Sequence, residues 1–113
     1  PILLAMNDAR YPGLILVPRR EATELHDLNA RDRALLIEQI ALASEKLKAL
    51  TGAAKINVGA LGNLVPQLHI HVIARNASDA AWPGPVWGHG TPIPYAPDAL
   101  KDFVKRLGTA IAP

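Results

Sequence analysis

Apolar and polar positions along the chain fall into short blocks broken by turn formers. Ile2 to Met6 is an apolar run closed by Asn7-Asp8 and by Arg10-Tyr11-Pro12-Gly13. Leu14 to Val17 is a second run, closed by Pro18 and the charged Arg19-Arg20-Glu21. Two such runs predict a strand, a tight connection and a strand, paired as an antiparallel hairpin. Both are apolar at successive positions, so both faces of this part of the sheet are expected to be covered. From Leu36 through Ile40, Ala43, Leu47 and Leu50 the spacing changes to the period of one helical face. Asn29 stands where an N-cap belongs, Asp32 in the first turn, and Gly52 where a left-handed cap ends the helix. Glu38, Glu45, Lys46 and Lys48 lie off the apolar face and read as solvated. Leu25 to Leu28 predicts a separate short helical turn.

Ala54 to Val58 reads as a third strand running into the loop Gly59-Ala-Leu-Gly62-Asn63, and Leu68 to Ala74 as a further strand. Between Pro83 and Pro97 prolines crowd together around Trp82 and Trp87. Because tryptophan favours burial, this stretch is expected to wrap over the domain. Asp98 is the expected N-cap of a last helix, with Leu100, Phe103, Val104 and Leu107 inward and Gly108 after it.

A length of 113 residues suits a single domain, 1–113, with a core in 1–75 and a Pro/Trp-rich wrap and helix in 76–113. Twelve Lys+Arg against ten Asp+Glu, spread along the chain, give a net charge of +2 and no basic cluster, so no nucleic-acid partner is expected. The absence of Cys removes disulfides, thiolate nucleophiles and Cys-bound metals. No apolar run nears the ~18 residues of a membrane span. A cytoplasmic protein without a membrane partner is the expectation.

The chemistry concentrates in Gln67-Leu68-His69-Ile70-His71. Residues two apart in a strand share a face, so Gln67, His69 and His71 lie together while Leu68, Ile70, Val72 and Ala74 supply the other face. The glycines of the loop before them let backbone N–H groups approach an anion. Three readings compete. His69 attacks phosphorus, with His71 and Gln67 orienting ring and charge; or the His pair binds a metal with a third ligand from Asp8, His26 or His89; or the pair is structural.

His69-Ile-His71-Val-Ile, preceded by a Gly-Asn loop and an Asn-bearing strand, resembles the histidine triad (HIT) superfamily and its motif His-φ-His-φ-His-φ-φ, where φ is hydrophobic. The similarity extends back to Leu3-Leu-Ala-Met-Asn-Asp8 and Leu14-Ile-Leu-Val-Pro18. It implies an α+β fold, an antiparallel sheet of about five strands with one long helix and a C-terminal helix, assembled as a homodimer. A further strand is expected ahead of Ile2. It also implies a nucleotide hydrolase or nucleotidyl transferase, diadenosine polyphosphate hydrolase-like. His69 would be the nucleophile toward the α-phosphorus and His71 the support of the reacting phosphate. Asp8 would hold the ribose hydroxyls, Asn57, Gly62 and Asn63 the phosphate oxygens, and Met6 and Leu14 the base. No cofactor or metal ligand is implied, although a divalent cation could accompany a polyphosphate substrate.

Three positions depart from the family pattern: Gln67 replaces the first His, Leu64 stands where a hydroxyl residue is usual, and Gly13 where one branch has a further His. The alternative these departures raise is a nucleotide-binding module without catalysis.

Overall fold

The computed structural model describes residues 1–111. Strands β1 (Ile2–Ala5), β2 (Gly13–Val17), β3 (Lys55–Gly59) and β4 (Ile70–Arg75) form one antiparallel sheet in the order β1-β2-β4-β3. Four strands stand where about five were expected. Helix α1 (Ala30–Thr51) joins the two halves of the sheet, and α2 (Pro97–Ile111) packs on α1 and β1. Residues 112 and 113 of the expected C-terminal region lie outside the described residues.

The caps of α1 follow its sequence. The Asn29 side chain accepts from the Asp32 N–H at 2.8 Å, and Gly52 closes the helix at φ 67° with its N–H donating to Lys48 O. Leu36, Ala43 and Leu47 are buried against Leu14, Leu16, Ile70 and Val72 from the sheet, with Ile40 and Leu50 at the margin. Burying side chains of this size stabilises by roughly 1.5–3 kcal/mol each relative to exposure. Leu25–Asp27 forms the short helical turn before α1.

Helix α2 begins two residues earlier than its sequence suggested. Leu100 N–H donates to Ala96 O, which makes Ala96 the cap and Pro97 the first helical residue. Proline suits that position because its φ is preset and no N–H is lost. Asp98 therefore sits inside the first turn, and Gly108 lies within the helix rather than after it. Phe103 and Leu107 are buried, whereas Val104 is 50 % exposed because it is turned off the 103–107 stripe.

The hairpin also departs from expectation. Its connection spans residues 6–12 rather than a tight turn, and only one face of β1 is covered: Ile2 and Leu4 are 41 % and 49 % exposed. β1 is an edge strand, and its outer side chains point away from the helices. The strand expected over Leu68–Ala74 starts at Ile70 instead. The ladder with β2 ends at the Leu16–Ile70 pair, and Leu68 N–H donates to Ala22 O in a loop.

Candidate functional site

β4 carries two different faces because of its pairing. Ile70, Val72 and Ala74 enter the main core, while His71, Ile73 and Arg75 face the other way. Opposite His71 stand Ile15 on β2 and Gly59 on β3. The His69 and His71 rings meet edge-on with centroids 5.3 Å apart. His69 Nδ1 lies 2.7 Å from the Gln67 backbone carbonyl. A carbonyl only accepts, so this nitrogen carries a proton, and in the neutral ring the lone pair is then on Nε2. The Gln67 side chain does something else: its amide donates to Arg20 O at 2.9 Å. Ring orientation thus comes from the backbone of Gln67, not its amide. Burial, and secondarily the neighbouring His69, holds the His71 pKa below the ordinary imidazole value.

His71, Met6 and Asp8 border one cavity of 370 Å³, closed by Trp87 and His89 from the wrap. Asp8 is buried and saturated on one oxygen. Its Oδ1 accepts from Arg10 N–H, Arg10 Nε and Ile93 N–H, whereas Oδ2 accepts only from Arg10 Nη2 at 2.8 Å. The side-chain bonds from Arg10 are the main reason its pKa lies below the usual carboxylate value. His69 and Gly62 border a second cavity, of 260 Å³, on the other flank. Gly62 holds φ 67°, a conformation glycine adopts without cost.

The remaining sequence candidates are scattered around this centre. Asn57 shares the histidine face, but its Oδ1 accepts from Arg75 Nη1 at 2.7 Å. Asn63 is exposed, and Leu64 is 96 % exposed. Leu14 is fully buried on the helix side of the sheet, opposite the histidines. Of the metal-ligand candidates, Asp8 is committed to Arg10 and His26 lies by the second cavity. No group of three or more His, Cys, Asp or Glu is arranged around a common point among the described residues.

Sequence reasoning missed three residues. Arg75 is 1 % exposed and binds both Asp79 oxygens, Asn57 and the Gly84 carbonyl, with the Tyr11 and Trp82 rings beside it. Arg10 joins Asp8 to the His89 carbonyl. Trp87 stands edge-on to His71 with centroids 5.9 Å apart. The signal for the arginines was their spacing: Asp8-x-Arg10 and Arg75-x-x-x-Asp79 each set an acid within reach of a base.

A paired imidazole site on the face of a four-stranded antiparallel sheet opposite a long helix defines a class of small α+β domains. This chain belongs to the HIT domain family, whose model matches residues 2–78. Histidine triad proteins of known structure superpose closely on it. The one from Bradyrhizobium japonicum shares 46 % identity at a TM-score of 0.92, covering 96 % of this chain and 82 % of its own. Those from Sinorhizobium meliloti and Marinobacter aquaeolei share 47 % and 41 % identity, both at a TM-score of 0.92. They cover 96 % of this chain and 81 % and 80 % of their own lengths. No functionally curated protein matches the chain. HIT family proteins generally bind nucleotides and act as hydrolases or transferases.

Proposed function

We propose that this protein is a nucleotide hydrolase or nucleotidyl transferase acting at the α-phosphorus of a dinucleoside polyphosphate or a nucleoside phosphoramidate. One observation carries the reading: the Gln67 carbonyl fixes the His69 proton on Nδ1, leaving Nε2 nucleophilic. Nε2 attacks phosphorus, and the bond to the leaving oxygen or nitrogen breaks with its electron pair. The leaving group takes a proton from solvent where its basicity requires one. Water then attacks the nucleotidyl-histidine, the P–N bond breaks, its electrons return to Nε2, and a proton is released.

In this reading Asp8 offers a sugar hydroxyl the acceptor position left on Oδ2, beside Arg10. Asn57 presents its amide N–H groups, with one lone pair of its oxygen held by Arg75, and the Gly62-Asn63 backbone is assigned to the phosphate. Met6 forms the base wall alone, because Leu14 faces the core. The mechanism requires no metal ligand, and a divalent cation enters only with a polyphosphate. A cytoplasmic homodimer completes the proposal, its seam using the exposed Leu35, Ile37 and Leu42 of α1 and Val58 of β3.

Incubation with adenosine and guanosine polyphosphates and phosphoramidates, followed by intact mass under acid-free conditions, tests the reading. A nucleotidyl adduct lost in His69→Ala supports it. Turnover undiminished in His69→Ala refutes it, and tight nucleotide binding without turnover replaces it with the binding module.

A further inference from the structure

The wrap between Asn76 and Tyr95 lies mostly beyond the matched family region, yet it is fastened over the histidines at two points. Upstream, Arg75 Nη2 donates to Gly84 O at 2.8 Å, and Asp79 holds Arg75 in return. Downstream, Arg10 Nη1 donates to His89 O at 2.7 Å, and Asp8 holds Arg10. Ile93 O also accepts from Ala9 N–H, and Tyr95 N–H donates to Asn7. Trp87 lies between these anchors.

The seat for its ring is cut in β3. A Cβ on Gly59 would lie 2.7 Å from Trp87 Cη2 and 2.9 Å from Cζ2, closer than carbon atoms approach. Only glycine at this position leaves the indole room. Gly59 is also the residue paired with His71 across the ladder. The same ring therefore rests on Gly59 and stands edge-on to His71, at an interplanar angle of 85°. His71 Nδ1 and Trp87 Nε1 are both buried without a protein partner, and both residues border the 370 Å³ cavity. Buried polar atoms left unpaired in this way are uncommon and leave a bound ligand as their partner.

We propose that Trp87 is a positioning residue of this site: seated in the notch left by Gly59 and strapped down by Arg75 and Arg10, it fixes the His71 ring and shuts water from it. The assignment rests on the nucleotide reading only for its consequence in turnover. A shielded His71 stays neutral through physiological pH, consistent with the lowered pKa its burial produces. The charged or titratable groups facing it are few. They are His69 before β4, His89 on the wrap, and the Asp8–Arg10 pair on the β1–β2 connection. β2 and β3 present Ile15 and Gly59, while Arg75 and Asp79 neutralise each other farther along the face.

Imidazole NMR titration of the full chain without ligand tests this directly. The His71 midpoint is expected below the ordinary ~6.5 in the wild type and in Trp87→Phe, which keeps a ring. It is expected to rise toward that value in Trp87→Ala. Gly59→Ala, which displaces the indole without removing it, is expected to act like Trp87→Ala and carries the test should that variant not fold. A midpoint unmoved in the alanine variants that fold, or moved as far by Trp87→Phe as by alanine, overturns the proposal. Turnover of an adenosine phosphoramidate is the second readout: the acid limb of its kcat profile should follow the His71 midpoint among the variants. Absence of turnover in the wild type would remove the nucleotide reading while leaving the titration result standing.

Discussion

Asp79→Asn isolates the charge that holds the wrap in place. The substitution keeps size and shape but replaces one carboxylate oxygen with an amide nitrogen. Asp79 accepts from Arg75 Nε at 2.7 Å, Arg75 Nη2 at 3.0 Å and the N–H groups of Asn76, Ala81 and Trp82. Every group facing it is a donor, so an amide nitrogen there meets another donor, and Arg75 keeps its charge while 1 % exposed. Breaking one half of a buried pair costs about 3–5 kcal/mol. Asn57 and Gly84 still bind the guanidinium, which places the expected loss near the lower bound, about 3 kcal/mol. Against a total of roughly 6–17 kcal/mol for a domain of this length, that is a large fraction, equivalent to a fall of about 10 °C or more in Tm.

Urea unfolding at neutral pH, read by tryptophan fluorescence and far-UV dichroism, measures the loss. Its pH dependence gives a second check with a definite sign. Hydrogen bonding to Arg75 depresses the Asp79 pKa from 3.8 to about 2. A depressed carboxylate contributes stability that is present above 3.8 and is lost as pH falls through about 2. That contribution is roughly 2 kcal/mol, at 1.36 kcal/mol per pKa unit. The gap between wild type and Asp79→Asn should therefore narrow below pH 4. A loss under 1 kcal/mol at neutral pH, or a gap constant down to pH 2, would refute the reasoning.

Three further outcomes are expected. His69→Ala should abolish turnover while AMP affinity, measured by calorimetry, changes only a few fold, because a nucleophile acts in the covalent step. Gln67→His should change kcat by well under ~100-fold, or about 2.7 kcal/mol of barrier, since the native amide binds Arg20 O and orientation of His69 comes from the backbone. Light scattering at micromolar concentration should give twice the mass of the chain; a monomer would remove the homodimer from the proposal.

Local signals carried most of the fold. Asn29 and Gly52 bounded α1 because their capping chemistry is local, and the apolar runs located all four strands. What failed depended on neighbours. Leu68 and His69 keep the alternation of a strand but have no ladder to join, which only the ends of β2 and β3 decide. Val104 fits an apolar helix face by spacing, yet the packing of α2 on α1 selects a narrower stripe. At the site, the spacing of two brought the His69 and His71 rings together even though His69 lies just before β4. The spacing Asp8-x-Arg10 offered a partner for Asp8, whereas the partner of Asn57 was not legible, because Arg75 reaches it from the neighbouring strand.

Those arginines change what the polar positions Asp8 and Asn57 can offer a ligand. A free carboxylate at Asp8 would accept two sugar hydroxyls; bound to Arg10 and Ile93 N–H, it has a place for one, on Oδ2. A free amide at Asn57 offers two acceptor places and two donors; with Oδ1 on Arg75 one acceptor place is used and both N–H donors remain. Under the proposed nucleotide reading, the first change would weaken selection for a ribose diol, and the second would leave the Asn57 N–H groups for a phosphate oxygen. Both constraints trace to guanidinium groups that also grip the wrap, at His89 O and Gly84 O. The segment that seats Trp87 on Gly59 and the polarity of the histidine face are therefore one construction: loosening the wrap at either arginine alters the donors and acceptors on that face.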